Sequence, residues 1–317
     1  MTSNPSTIEA VPAPWTLKGT IYSFFLYSTS KDAKLVSSEK SFLFSPLEAT
    51  SSFSDGRFIG GLGSVQVIRY SESPVGPYDE LVIIPGNFEH SKAHDGSNAS
   101  SVSKKRSNLR ITRIYVSQVG TCWNGRKSMS HGLSRNTTSL TCLDWNIPKH
   151  LAKFEFKELP DNSVSISVYP REQGGSRTPS ELHQKPFFAA TYKPISYLPR
   201  FPSSTEWFKY LGVDLNFVQP PLPEGRKEDV ELPGTNRWTM VKSVERSSKT
   251  SLGWWDMKRG PLTEEDGILT RNSEDSDLIA GEFENWWPGL GRWRLGMKME
   301  EATIEFPEGK HWAEARI

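Results

Sequence analysis

The sequence predicts a mainly-β chain, a barrel or a sandwich with few short helices. Three observations carry this prediction. Apolar residues recur with period two in segment after segment. Helical stripes are scarce, the one amphipathic pattern being 204–212, around Glu206–Leu211. The chain is also punctuated throughout by 24 Gly and 22 Pro, as many short strands joined by turns require.

Taken in order, Thr20–Tyr27 is aromatic-rich and nearly all apolar, as a strand buried on both faces would be. Val65 and Val67 alternate ahead of Arg69. Phe154 and Phe156 alternate with Lys153, Glu155 and Lys157. In 163–169 Val164, Ile166 and Val168 share one face between serines. Phe187–Tyr192, Met240–Val244 and Thr303–Phe306 are rich in β-forming residues and read as further strands. Three segments read as solvated loops: 89–108 with six serines and the cluster Lys104, Lys105, Arg106; 219–234 with four prolines; and 261–277 with six carboxylates. A single domain over 1–317 is expected, with a disordered N-terminus at 1–11 and loop insertions at 89–108 and 128–144.

Composition narrows the function. A net charge of +1 from 38 basic and 37 acidic side chains speaks against a nucleic-acid partner. Mean hydropathy is −0.52 and no apolar run approaches the ~18 residues of a membrane span. Eleven Trp and 11% aromatics are too many for a disordered chain. Cys122 and Cys142 alone make neither a disulfide framework nor a zinc site. His90 and His94 lie in a Ser-rich loop without a carboxylate partner, so neither a metal nor a cofactor is expected. The first fifteen residues lack a basic region followed by an apolar run, so the expected compartment is cytoplasmic and the sequons at Asn98 and Asn136 read as unused. The pairs Trp254-Trp255 and Trp286-Trp287 read as packing residues, with a sugar platform or the wall of a hydrophobic pocket as the alternatives. The expected partner is a small molecule; homo-oligomerisation is left open.

The chemistry-bearing stretch runs from Gly76-Pro77-Tyr78-Asp79-Glu80-Leu81-Val82, through Arg113-Ile114-Tyr115-Val116 and Gly125-Arg126-Lys127, to Trp145-Asn146-Ile147-Pro148-Lys149-His150. In this order the motifs resemble those of the acetoacetate decarboxylase superfamily, and Pro14-Trp15 fits that family's start; the resemblance covers roughly residues 12–160. It implies a large β-barrel enclosing an apolar cavity, with Lys149 as the Schiff-base lysine and Glu80 exchanging a proton at the substrate α-carbon. Arg126, Trp145, His150, Lys18 and Tyr115 are the implied substrate-binding residues. The chain departs from the pattern in several places. Lys18 stands where the family has a carboxylate-holding arginine. Ser64 and Gln66 occupy the region of a second glutamate, and His150 replaces a second lysine. These departures point away from acetoacetate itself. The expected function is a lysine-dependent Schiff-base lyase acting on a keto acid or other carbonyl compound larger than acetoacetate. The alternative is a non-catalytic protein holding an apolar small molecule in the same cavity.

An ordinary lysine, pKa ~10.4, is only ~0.04% neutral at pH 7. Desolvation by Trp145, Ile147 and the Phe-rich strands is therefore expected to lower the pKa of Lys149. One feature breaks the motif: eighteen residues separate Arg126 from Trp145, where the family has two. The inserted piece is polar and patternless. Codon 128 can carry a fungal-type 5′ splice signal and codon 144 an acceptor, so 128–144 reads as a retained intron whose removal would leave Gly-Arg-Lys-Asn-Trp.

Overall fold

The computed structural model describes residues 8–29, 43–90, 106–127, 129–130, 141–142, 145–171, 186–258 and 291–312. Six strands precede the helix Val119–Arg126: β1 (Trp15–Ser28), β2 (Phe58–Glu72), β3 (Tyr78–Ile84), β4 (Asn87–His90), β5 (Arg106–Leu109) and β6 (Arg113–Val116). After it come β7 (Met129–Ser130), β8 (Thr141–Cys142), β9 (Lys149–Glu158), β10 (Val164–Pro170), β11 (Phe188–Pro194) and β12 (Phe201–Ser204). The last five are β13 (Phe217–Gln219), β14 (Trp238–Val241), β15 (Val244–Lys258), β16 (Gly291–Phe306) and β17 (Lys310–Trp312).

Nine of these strands close a ring in the order β1-β16-β15-β11-β10-β9-β6-β3-β2, with β2 pairing back onto β1. Closure leaves the ring without an open edge. Its pairings are antiparallel except β6 with β9, which run parallel in the register Ile114↔Lys149. A second path of strands leaves β2 through β4, β5, β13, β14 and β17 and lies against the outside of the barrel.

The period-two pattern explains the two cores. Val164, Ile166 and Val168 of β10 meet Phe188, Ala190 and Tyr192 of β11, and with Phe24, Val67, Leu81, Tyr115 and Trp255 they fill the barrel. On β1, β2, β3 and β6 the intervening residues are buried as well. Leu17, Ile21, Ile68, Val82 and Ile114 form a second cluster with Phe217 and Val241 from the covering strands. Over most of their length these four strands are therefore buried on both faces, as Thr20–Tyr27 suggested, although Tyr27 itself is exposed.

Several expectations need correction. The pattern at 204–212 folds as a 3₁₀ helix, Thr205–Leu211, that buries none of its residues; Trp207, Tyr210 and Leu211 face solvent. Met240–Val244 is two strand ends, β14 and β15, rather than one strand. Strand pairing claims both ends of the expected loop at 89–108, in β4 and β5. The N-terminal stretch is not loose throughout: Asn124 accepts from the Val11 N–H at 2.8 Å and donates to the Glu9 carbonyl at 2.9 Å. Of 128–144 only β7 and β8 are described, and they pair antiparallel. The remainder of that segment, 1–7, 91–105, 261–277, His94 and Trp286-Trp287 lie outside the described residues. Among the described residues no helix is long and apolar enough to cross a membrane.

Candidate active site

Lys149 opens β9, and the residues ahead of it fix where its side chain goes. The Trp145 indole donates to the Pro307 carbonyl at 3.0 Å, and its ring packs edge-on against Trp15 and Phe306. Asn146 adopts a left-handed φ of 54°, a conformation that Asn tolerates better than most residues. Its amide donates to the Gln219 and Arg237 carbonyls, tying the turn to the covering strands. The Pro148 carbonyl accepts from Ile114 N–H at 3.2 Å, which starts β9 alongside β6. The lysine stem then crosses the helix Val119–Arg126 directly over Gly125, where a methyl group would lie 2.6 Å from both Cδ and Cε of Lys149. The Gly of the Gly-Arg motif is thus the space in which the lysine lies.

The Lys149 ammonium is buried at 5% exposure. Nζ lies 2.7 Å from Glu80 Oε2, donates to Thr121 Oγ1 at 2.9 Å, and sits 5.3 Å from the Tyr78 ring centroid. The approach to Oε2 is close but off-axis, so that oxygen accepts no well-aligned hydrogen bond. The other carboxylate oxygen accepts from Tyr70 OH at 3.1 Å, and the Tyr70 and Tyr78 rings are 4.4 Å apart. Burial raises both phenols, Tyr78 to about 12 and Tyr70 well above its ordinary value. Burial alone would lower the pKa of Lys149, but the charge of Glu80, with Tyr78, more than offsets it and the ammonium is held above its ordinary value. This reverses the expected depression: desolvation is present, but a carboxylate sits in contact with the amine.

The pair opens onto a cavity of about 60 Å³. Its wall is mostly apolar: Ile68 and Val82 from the barrel, Phe217 from the covering strands, and Trp145 and Ile147 from the lysine motif. It lies on the outer face of β2 and β3, between the barrel wall and the covering strands. Two further polar side chains line it, Gln66 and Glu245. Gln66 Nε2 donates to Glu245 Oε2 at 3.4 Å. Burial, helped by the nearby Glu80 charge and opposed by the Gln66 bond, raises Glu245 to about 7.

The other residues expected at the site are elsewhere. Arg126 and His150 converge on Glu48, a fully buried carboxylate from the short helix Pro46–Ala49, at 2.9 and 2.8 Å. Arg126 also donates to the Pro223 and Pro233 carbonyls, so the proline-rich 219–234 segment is packed rather than free. Burial would raise Glu48, but His150 and Arg126 outweigh it and hold the carboxyl at about 2. Tyr115 faces the barrel interior, its ring 6.5 Å from His150 and 4.7 Å from Phe187. Lys18 is on the solvent side of β1, paired with Glu72 at 2.9 Å, while Leu17 points into the cavity. The structure thus gathers Lys149, Glu80 and Trp145 at one cavity, and places Arg126, His150, Tyr115 and Lys18 outside it.

Sequence reasoning missed Glu245, Tyr70, Thr121 and Glu48. Tyr70 could have been found, since it shares a face of β2 with Gln66 and Ile68. Glu245 and Glu48 are distant in sequence and carry no motif.

No family model matches the chain, and no curated protein matches it. Solved structures do. An acetoacetate decarboxylase-like enzyme from Sphingomonas wittichii RW1 aligns at 9% identity over 98% of this chain and 97% of its own, with a TM-score of 0.49. The enduracididine biosynthesis enzyme MppR, complexed with pyruvate, aligns at 10% identity over 97% and 93%, with a TM-score of 0.45. The acetoacetate decarboxylase from Legionella pneumophila subsp. pneumophila str. Philadelphia 1 aligns at 12% identity over 98% of this chain and 92% of that one, with a TM-score of 0.51. That alignment spans nearly the whole chain, barrel and covering strands together, and on it the fold is acetoacetate decarboxylase-like.

Proposed function

We propose that this chain is a lysine-dependent Schiff-base lyase acting on a carbonyl compound bound beside Lys149. The observation that carries the reading is the buried Lys149–Glu80 contact, 2.7 Å long and facing an apolar cavity. As a stabilising device a buried ion pair is weak, because desolvation offsets the attraction. As a proton-transfer pair it has a use.

Glu80 can take one proton from the ammonium and release the amine as a nucleophile. The amine adds to the carbonyl carbon. The same proton, returned to the carbinolamine oxygen together with the second N–H proton, lets that oxygen leave as water. Ammonium and carbonyl thus give iminium and water with no net proton taken up. The iminium then draws electrons from a bond to the α-carbon, the step on which lyase chemistry depends. Tyr70, bonded to the other Glu80 oxygen, and Thr121, accepting from Nζ, hold the pair in contact.

Support for the reading comes from the geometry of this pair, and the fold adds plausibility without specifying a substrate. The free volume of about 60 Å³ is well under the ~150 Å³ of an engineered cavity that takes benzene. A small carbonyl compound fits better than one larger than acetoacetate. The test is reduction with borohydride in the presence of small ketones and aldehydes, followed by peptide mass analysis. Lys149 should carry the reduced adduct, and Lys149→Arg should carry none, since a guanidinium stays protonated. Absence of any Lys149 adduct across the carbonyl panel overturns the reading.

A further inference from the structure

Resting on that reading, we propose that the substrate is an uncharged carbonyl compound rather than a keto acid, and that the Glu245 carboxylate enforces the choice. The cavity presents three chargeable side chains of the kinds that decide anion binding: Lys149, Glu80 and Glu245. Two are carboxylates. The single ammonium is already in contact with one of them at 2.7 Å. After condensation the positive charge remains on the same nitrogen, so Glu80 faces the iminium as it faced the ammonium. Above about pH 7, where Glu245 is ionised as well as Glu80, a substrate carboxylate would be a third negative group in an apolar space too small to hold its hydration shell.

The cations that could offset such a group are committed elsewhere. Arg126 is spent on Glu48 and on the Pro223 and Pro233 carbonyls. Lys18 points to solvent against Glu72. Among the described residues lining the cavity, Lys149 is the only Lys or Arg. Glu245 reaches the cavity from the start of β15, and the Gln66 amide steadies it at 3.4 Å. Gln66 lines the barrel wall beside it, so a neutral amide and a carboxylate together shape this corner.

The chemistry changes accordingly. With no carboxylate to lose as CO2, the iminium of an uncharged ketone can reach the enamine by giving an α-proton to a base. The C–H pair becomes the C=C bond and the C=N pair returns to nitrogen. Glu80 and Glu245 are the two carboxylates available to receive that proton. Return of the proton and addition of water release Lys149 unchanged, so solvent-hydrogen exchange at the α-carbon is the minimal turnover.

The experiment compares butanone with pyruvate, which are of similar size and differ in charge. Each is incubated at pH 8, where Glu245 is ionised, with the full chain and cyanoborohydride, and the rate of Lys149 labelling is divided by the rate seen with a free lysine derivative. Butanone should label Lys149 at least tenfold better than pyruvate on this scale, and Glu245→Gln should narrow the ratio by raising pyruvate labelling. Butanone α-hydrogens should also exchange in D2O with wild-type protein and not with Lys149→Arg. Pyruvate labelling as good as butanone's overturns the inference and leaves the lysine reading standing. A butanone preference unchanged in Glu245→Gln overturns the role of Glu245. No labelling by either overturns the lysine reading, and this inference with it.

Discussion

Replacing Glu245 by Gln should stabilise the protein, and only at higher pH. The side chain is buried at 7% exposure in an apolar cavity, with the Gln66 amide at 3.4 Å and Glu80 nearby. Its pKa is raised from an ordinary 4.5 to about 7. In the unfolded chain Glu245 ionises as pH passes its ordinary value, whereas in the folded chain it keeps its proton until about 7. Between those values the folded state binds more protons, so stability falls as pH rises, and above about 7 the full cost is present. At ~1.36 kcal/mol per pH unit the cost is about 3 kcal/mol at pH 8. Gln keeps the shape and the bond to Gln66 without titrating. With ~2.1 cal/mol/K of unfolding entropy per residue, 3 kcal/mol in a chain of 317 residues is worth about 4–5 °C in Tm. Calorimetric scans of both proteins at pH 5 and pH 8 supply the comparison. The variant should melt higher by that amount at pH 8 and within about a degree of wild type at pH 5. A pH-independent difference, or a less stable variant at pH 8, refutes the argument that a charge is being forced into the cavity.

Three other perturbations follow from the geometry. Glu48→Ala leaves the buried Arg126 and the His150 side chain without their carboxylate, and chemical denaturation at pH 7 should show a loss of about 3–5 kcal/mol. Because the folded pKa of Glu48 is depressed to about 2, its contribution in wild type is present above the ordinary 4.5 and lost as pH falls toward 2, so acid unfolding of Glu48→Ala should lose that component. Gly125→Ala puts a methyl group 2.6 Å from the lysine stem; Lys149 labelling should fall at least tenfold and stability by about 1–3 kcal/mol, while unchanged labelling would show that the stem has room to move. Exchange of Ser128–Asp144 for a single Asn should raise Tm and preserve labelling, and sequencing the transcript across codons 126–146 tests the intron reading directly. A lower Tm for the short form would show the segment to be structural.

Much of the fold was legible because alternation is a local signal. Val164, Ile166 and Val168 announce a one-sided strand, and the apolar run at Thr20–Tyr27 announces one buried on both faces. The covering strands were harder. Phe217–Gln219 is three residues long and pairs with β5 and β14, partners far away in sequence, so periodicity has nothing to detect. At the site, the ordered motifs pointed to Lys149 and Glu80, and their contact follows from strand register, since β3 pairs with β6 and β6 with β9. Lys18 was misplaced by one residue's worth of pleat: in a strand its neighbour Leu17 takes the inner face. Arg126 and His150 belong to a polar cluster that exists only because Glu48 arrives from a helix 78 and 102 residues earlier in the chain. The insertion likewise proves less disruptive than its length suggests. Ile147 N–H donates to the Gly125 carbonyl at 3.1 Å, so the two flanks stay joined whatever lies between them.

The direction of the Lys149 shift bears on how such a site can start its reaction. A lysine activated by desolvation or by a neighbouring cation carries a standing fraction of free amine, and its reactivity follows that fraction. Here the amine is protonated at rest and its proton-acceptor is already in place 2.7 Å away. If Lys149 is the nucleophile, as proposed, its activation is a transfer within the pair, from Nζ to Glu80, rather than a loss of the proton to solvent. Such a transfer converts two buried charges into two neutral groups, and an apolar ligand that displaces water from the cavity favours the neutral pair. On the proposed reading, a carbonyl compound would promote its own nucleophile by occupying the site. The proposed reading predicts that the protein without ligand titrates Lys149 above its ordinary value while condensation proceeds near neutral pH, because the relevant equilibrium is the internal one. The side chain of the next residue, His150, is turned away onto Glu48 at 2.8 Å, which leaves Glu80 as the proton's destination.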